Sequence, residues 1–167
     1  MQLSGQTAEN LMLGSVNIGT NGVISATTVD QATGNIIIGG ERNNLVSIEG
    51  KIDLSASTPS TPSGNLNITG TNVYYGGNTN ASGSNGGKIS VATKEMLVLD
   101  SSIVARGLQG NGGDLMIVSE DVLLSTARTN VDMSGSVNGG SIKLHADNHN
   151  LATGRFKACL LYTSDAA

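Results

Sequence analysis

The stretch that decides the fold is 100–144, DSSIVARGLQGNGGDLMIVSEDVLLSTARTNVDMSGSVNGGSIKL, because it contains the same phrase twice. Each half has a β-rich segment that ends in small residues, an Asn-Gly-Gly turn at 111–113 or 138–140, and then a strand in which alternate residues are apolar. Self-similarity at a fixed period is typical of repeat proteins. The stretch therefore predicts a chain built from stacked coils, not from one globular core.

The same phrase can be followed through the chain by the glycine that opens each coil. These glycines are spaced by 30, 23, 26 and 27 residues, as expected for a constant strand framework with corner loops of unequal length: Gly34, Gly64, Gly87, Gly113 and Gly140. A pair of alternating aliphatic residues follows each of them: Ile36/Ile38, Leu66/Ile68, Ile89/Val91, Leu115/Ile117 and Ile142/Leu144. One coil cannot bury such a pair alone, but a stack can. We expect the first members of the five pairs to form a single column.

These features predict an all-β fold, a parallel β-helix (β-solenoid) over residues 15–157, with three short strands per coil and about five coils. Asn-Gly and Gly-Gly accept a positive φ, which would explain why glycine occupies the corners. Asn-Gly between alternating runs is also a hairpin signal, so an antiparallel sandwich or barrel is the alternative. That alternative would not need the same phrase at every coil opening.

The composition also sets limits on partners. Charged residues make up 13% of the chain and aromatic residues 2%, so aliphatic and small side chains must fill the interior. The net charge of −4 gives no electrostatic argument for binding nucleic acid or an anionic membrane. No apolar run approaches the roughly 20 residues of a membrane helix. We therefore expect no nucleic-acid partner and no membrane insertion.

Both ends of the chain are expected to lie outside the repeat. Residues 1–14 are mostly polar and non-periodic, and we interpret them as a frayed N-terminal segment. The last nine residues, CLLYTSDAA, resemble a translated sequencing adapter, so 158–167 is interpreted as a tail that is not native. The single cysteine, Cys159, would then be foreign, and the native part would have no thiol chemistry. We expect the native part to be a fragment of a longer protein, cut at its C-terminal side and also at its N-terminal side.

Several phrases resemble a known family. They are SSIVARG at 101–107, GNGGDL at 110–115 and VDMSG at 131–135, with NGGSIKL, ATGNIIIGG and GKIDLSA elsewhere in the chain. Together they resemble the filamentous haemagglutinin-like exoproteins of Gram-negative bacteria and cyanobacteria. The resemblance covers about residues 15–147.

The resemblance implies a right-handed parallel β-helix that is secreted to the cell surface by the two-partner route, through a dedicated outer-membrane pore. It implies a structural or adhesive role in a surface filament, with a glycan or protein receptor that the sequence does not specify. The family's secretion motifs cannot be matched here, so the chain resembles the shaft of such a filament.

Parallel β-helices also include polysaccharide lyases and hydrolases, so a carbohydrate-active enzyme is the alternative function. Such sites need an acid and a base on one outer face. Asp53 and Asp132 occupy equivalent third-strand positions that we expect to point outward, but two coils, or about 10 Å, should separate them. We predict that the chain is not an enzyme.

Metal and cofactor signals are weak. His145, Asp147 and His149 are the only cluster with ligand-type side chains, and two solvated histidines are the simpler interpretation. The segment 112–114, Gly-Gly-Asp, matches part of a calcium-binding repeat, but aspartate does not recur from coil to coil. A calcium-stabilised secreted repeat protein stays a third candidate function. We expect no cofactor.

Two further features concern the outer surface. Tyr74 and Tyr75 are adjacent in a predicted strand, so one of them should point outward. Basic residues are too dispersed in the sequence to predict a basic patch: Lys88, Lys94, Arg106 and Lys143.

Overall fold

The computed structural model describes residues 2–4, 11–13, 17–18, 23–25, 35–38, 45–56 and 58–161. The described chain is all-β, and every described strand pair is parallel. The strands stack as a β-solenoid with three strands per coil, and the chain makes about four turns between the predicted first and last coil openings. The parallel solenoid is confirmed, and the antiparallel alternative is wrong. Gly34 lies outside the described residues.

The solenoid has three faces. The first face holds β2 (Leu11–Leu13), β5 (Asn35–Ile38), the first part of β8 (Asn65–Tyr75), the first part of β10 (Lys88–Leu99), β12 (Asp114–Ser119) and β15 (Ser141–Ala146). The second face holds β3 (Asn17–Ile18), β6 (Leu45–Ile48), the later parts of β8 and β10, β13 (Val122–Ser125) and β16 (His149–Ala152). The third face holds β1 (Gln2–Ser4), β4 (Val23–Ser25), β7 (Lys51–Asp53), β9 (Asn78–Asn80), β11 (Ser102–Val104), β14 (Asn130–Asp132) and β17 (Arg155–Lys157).

Two strands are longer than the sequence predicts. Both β8 and β10 continue from the first face onto the second, so that these two faces join into one ten-stranded sheet. The register between them shifts between Thr93 and Met96, which is the irregularity expected where a strand bends around a corner. Where three short strands per coil were predicted, the coil that opens at Gly64 therefore has one bent strand, Asn65–Tyr75, across its first two faces.

The predicted column on the first face is confirmed. Register pairing joins its members one to the next in the expected order: Ile36, Leu66, Ile89, Leu115 and Ile142. The first four expose at most 2% of their surface, while Ile142 packs against the same core and is partly buried. This column is the aliphatic interior that a single coil could not bury.

The third strand of the coil that opens at Gly64 has a polar interior. Thr79 takes the place that Ile52 and Ile103 hold in the neighbouring coils, and it is buried. The phenol of the fully buried Tyr75 hydrogen-bonds the Thr79 hydroxyl, so that each polar group satisfies the other. Tyr74 lies on the outer side of the same strand and is partly exposed, which confirms that one of the two tyrosines points outward.

Asparagine at the turns has a structural reason. The backbone N–H of Asn111 donates to Oδ1 of Asn85 at 3.0 Å, and Nδ2 of Asn138 donates to Oδ1 of Asn111 at 2.9 Å. These three residues stack at one corner of successive coils. The Asn-Gly-Gly phrase therefore recurs because each asparagine bonds the one in the next coil.

The expected reason for glycine at the corners is wrong. Among the described glycines only Gly154 has a positive φ, at 108°. At Gly87, Gly113 and Gly140 a Cβ atom would instead overlap the carbonyl oxygen of the coil-opening glycine one coil earlier. Glycine is needed at these positions because backbones pass too closely for a side chain.

The predicted end segments make backbone contacts with the repeat. Within 1–14, β1 and β2 pair in parallel with β4 and β5. Within 158–167, the N–H of Gly135 donates to the carbonyl of Cys159 at 3.1 Å, and the N–H of Leu161 donates to the carbonyl of Gly135 at 2.8 Å. The side chains at 158–160 are nonetheless exposed. The adapter origin of this tail stays a prediction.

Candidate functional site

The candidate site lies on the outer side of the third face. Because successive third-face strands pair in register, their outward residues form two columns along the solenoid axis. One column is Lys51, Asn78, Ser102, Asn130 and Arg155, and the other is Asp53, Asn80, Val104, Asp132 and Lys157. The short side chains of Asn78, Asn80, Ser102 and Val104, with the longer Lys51 and Arg106 beside them, line a depression.

That depression is a groove of about 470 Å³. It crosses three successive coils and is lined by Lys51, Asn78, Thr79, Asn80, Ser82, Ser102, Val104, Arg106 and Leu108. Its volume falls within the range of small-molecule sites, roughly 300 to 1,000 Å³. We call it the third-face groove.

The polar groups of the groove are only partly used by the protein. Oδ1 of Asn80 accepts a hydrogen bond from the N–H of Ser82 at 3.2 Å, and Oγ of Ser82 accepts one from the N–H of Arg106 at 3.1 Å. Within the described residues, the side-chain amide of Asn78, the hydroxyl of Ser102 and Nδ2 of Asn80 make no intramolecular hydrogen bond. These groups can bond a ligand without breaking a bond in the protein.

Each cation in the groove is paired with a carboxylate outside it. Nζ of Lys51 lies 3.2 Å from Oδ2 of Asp53. Nε and Nη2 of Arg106 donate to Oδ2 of Asp132 in the next coil, at 2.9 and 2.6 Å. Burial opposes the charged form of both aspartates, but hydrogen bonds from a serine two residues on and from the cation outweigh it and hold both carboxyl pKa values below their ordinary range. The groove is therefore close to electrically neutral.

Both aspartates lie at outward strand positions as expected, but Asp132 is covered and the expected separation is wrong. The side chain of Asp132 starts from an outward strand position but is only 9% exposed, because Arg106 covers it and Ser134 donates to Oδ1 through both its N–H and its hydroxyl. Asp53 and Asp132 are three register steps apart, not two, because the coils of Asn80 and Val104 lie between them. At about 4.8 Å per step they are separated by about 14 Å.

We expect Asp132→Asn to lower the free energy of unfolding by about 1 kcal/mol at neutral pH. The amide oxygen can still accept from Ser134, but the ion pair with Arg106 is lost, and solvent screening limits the effect because Arg106 is 46% exposed. The folded-state pKa of Asp132 is lowered, so its stabilisation is present above the unfolded carboxyl pKa of about 3.9 and is lost as the pH falls through the lower folded value. The difference between wild type and variant should therefore shrink as the pH is lowered.

Urea unfolding midpoints at about pH 7 and about pH 2 measure this effect. Asp114→Asn is the matched control, since Asp114 is exposed and the variant makes the same change of charge. A midpoint difference for Asp132→Asn that stayed constant with pH would contradict the ion pair.

A second polar cluster ties coils together at the corner between the second and third faces. The side chain of Asp100 is 5% exposed, and it accepts hydrogen bonds from Tyr74, Thr126 and Arg128. Burial works against the charged form of Asp100, but the bonds from Thr126 and Arg128 outweigh it, so the carboxyl pKa lies below its ordinary range. Tyr74 belongs to the coil before Asp100, and Thr126 and Arg128 belong to the coil after it. The cluster therefore holds three successive coils in a fixed relative position.

The predicted metal candidates do not come together as a site. Nε2 of His145 lies 3.0 Å from Oδ1 of Asp147, and both side chains are more than half exposed. Across the described part of the chain no group of three or more His, Cys, Asp or Glu side chains could hold a metal, so His149 does not complete a site with them. Among the dispersed basic residues, Arg106 lines the groove, while Lys88, Lys94 and Lys143 lie in β10 and β15.

Comparison with known proteins does not place this chain in a family. No protein-family model, curated protein or solved structure matches this chain. In the part of the chain that the structure describes there is no apolar helix of membrane-spanning length.

The groove residues Asn78, Asn80 and Ser102 were missed by sequence reasoning. None of them belongs to a recognisable catalytic or metal-binding motif, and the third strand Asn78–Asn80 has no aliphatic alternation. The signal that could have found them is the alignment of third strands beneath one another, which places short polar side chains between Lys51 and Arg106.

Proposed function

We propose that this chain is a structural and adhesive segment from the shaft of a large secreted bacterial surface filament of the haemagglutinin-like kind. The observation that carries the proposal is the continuous parallel strand pairing, which runs through all three faces of the described coils. The right-handed winding stays part of the proposal.

The energetics of a solenoid suit a shaft. Each coil contacts only its neighbours, so that stability is approximately a sum of coil and nearest-neighbour terms and further coils can be added without changing the cross-section. A coil adds about 4.8 Å of length. The aliphatic column from Ile36 to Ile142 packs each coil against the next. The row of asparagines from Asn85 to Asn138 hydrogen-bonds successive coils at one corner. A long rod needs such contacts between coils.

The two-partner secretion route is supported by composition. Cys159 is the single cysteine of the chain, and it lies in the adapter-like tail. A native part without disulfides could cross two membranes unfolded and then fold coil by coil outside. Stacking of local coils gives such folding a simple path, because it can begin at one coil and propagate.

The carbohydrate-active alternative has less support. Asp53 and Asp132, the aspartates that share an outward column, are about 14 Å apart, and each is held by a serine and a cation. Both features make them a poor acid and base pair. The calcium-stabilised alternative would need carboxylates that recur between coils, whereas lysine and serine stand beside Asp114 in its column.

The proposal predicts that the chain is found outside the cell. Antibodies against it should label intact cells of the bacterium that encodes it, and electron microscopy should place the label along thin surface filaments. Deleting the gene for the outer-membrane pore should move the label inside, so that it is detected only after permeabilisation. Labelling that requires permeabilisation when the pore is present would contradict the proposal.

A further inference from the structure

We propose that the third-face groove binds an uncharged, extended β-1,4-linked glycan that lies along the solenoid axis. The inference deepens the proposed function by giving a ligand class to the adhesive surface, and it rests on that proposal for its biological role. The binding itself follows from the groove.

The unused polar groups match the chemistry of sugar hydroxyls. A hydroxyl both donates and accepts, so its recognition requires donors and acceptors side by side. The amide of Asn78 provides two donors and an acceptor, Nδ2 of Asn80 provides donors, and the hydroxyl of Ser102 provides both. Within the described residues, none of these groups is engaged in the protein.

The spacing of these groups fits a glycan that runs across the coils. Asn78 and Ser102 are register partners in adjacent coils, so they are about 4.8 Å apart along the axis. That distance is close to the length of one sugar in an extended β-1,4-linked chain. A glycan along the axis can therefore place one sugar beside Asn78 and the next, which is turned over relative to the first, beside Ser102.

Apolar contacts are also available in the groove. Leu108 is 50% exposed and Val104 is partly exposed, and both line the groove beside the polar groups. They can contact the C–H face of a sugar ring. The lining contains no aromatic side chain, so we expect modest affinity from a single chain and stronger attachment where many contacts act together.

The charges favour an uncharged ligand over a polyanion. Lys51 is already paired with Asp53 and Arg106 with Asp132. A sulfated or uronic chain would have to compete with these carboxylates, and the chain as a whole carries a net charge of −4. Hydrogen bonding to sugar hydroxyls leaves both ion pairs intact.

Calorimetric and NMR titration of the purified chain with cellohexaose and mannohexaose tests this inference, with a heparin hexasaccharide as the polyanionic probe. At least one uncharged hexasaccharide should bind with an affinity that changes less than about twofold between low and high salt, because no ion pair forms. The heparin probe should bind more weakly. Failure of both uncharged probes to bind, or tighter binding of the heparin probe, would overturn the inference.

The double variant Asn78→Ala/Asn80→Asp should weaken binding by at least about tenfold, because it removes the unpaired N–H donors of both side chains and the carboxylate at position 80 can only accept. Asn80→Asp is compatible with the fold, since Asp53 and Asp132 in the same column accept from a serine two residues on. Asn67→Ala, an exposed asparagine on the first face, is the matched control and should leave binding unchanged. Equal binding by the double variant, with an unchanged melting temperature, would show that the ligand lies elsewhere.

The two proposals can fail separately. Binding by the purified chain together with label confined to the cell interior would reject the surface filament and keep the groove. Surface label without binding of either uncharged probe would reject the groove and keep the filament.

Discussion

Leu115→Asp is expected to unfold the coils around it. Leu115 is 1% exposed and is the register partner of Ile89 on one side and Ile142 on the other, so the new carboxylate would lie in an aliphatic column without a partner. Burying an unpaired carboxylate costs several kcal/mol, and the lost leucine adds about 2 kcal/mol. That sum is a large part of the stability of a typical domain, roughly 5 to 15 kcal/mol.

Met116→Asp is the control for that prediction. Met116 lies in the same strand as Leu115 but is 52% exposed, and it should tolerate aspartate to within about 0.5 kcal/mol. Urea unfolding followed by circular dichroism measures both variants. Ile117→Asp should behave like Leu115→Asp, because Ile117 is fully buried at the next inward position, two residues further along the strand. Similar midpoints for the Leu115 and Met116 variants would contradict the inward assignment.

The first-face column could be predicted from sequence because two independent signals agree on it. Alternating aliphatic residues define the inward side of each strand. The glycine before each pair fixes the register, that is, which residues of successive coils lie side by side. Differences in loop length do not disturb this register, since they are absorbed at the corners. The positions of Leu66 and Ile89 therefore follow from local patterns alone.

The environment of Asp132 could not be predicted in the same way. Asp132-Met-Ser134 has the same form as Asp53-Leu-Ser55, and both aspartates accept from the serine that follows. What differs is the coil before Asp132, in which Arg106 stands where the adjacent coils have Ser82 and Ser134. Arg106 reaches Asp132 from there. A contact between side chains 26 residues apart depends on the stack, which local patterning does not report.

The third-face groove also depends on the stack. Asn78, Asn80 and Ser102 become a site because three coils place them side by side between longer side chains. Each strand alone is an ordinary polar surface. Sequence patterns identify buried residues well because burial needs a periodic signal, whereas a groove needs only that some outward side chains be short.

Gly87→Ala is expected to destabilise the solenoid by about 2 to 3 kcal/mol. Gly87 is buried and its φ is outside the left-handed region, so alanine meets no conformational barrier there. The added Cβ would instead overlap the carbonyl oxygen of Gly64 and lie 2.7 Å from Oγ of Ser63. The carbonyl is backbone of the preceding coil, so relief requires the two coils to move apart and weakens the ladder between them.

Gly70→Ala separates this steric cost from the general effect of replacing glycine. A Cβ at Gly70 would have as its nearest neighbours a methyl of Val73 at 3.1 Å and a methyl of Val46 at 3.3 Å, which are side-chain atoms that can shift by a few tenths of an ångström. Both substitutions restrict the unfolded chain equally, which favours folding by roughly 0.4 to 1 kcal/mol. The Gly87 variant should therefore unfold at clearly lower urea than the Gly70 variant. Equal midpoints would show that the coils are not packed closely enough at this corner for glycine to be required.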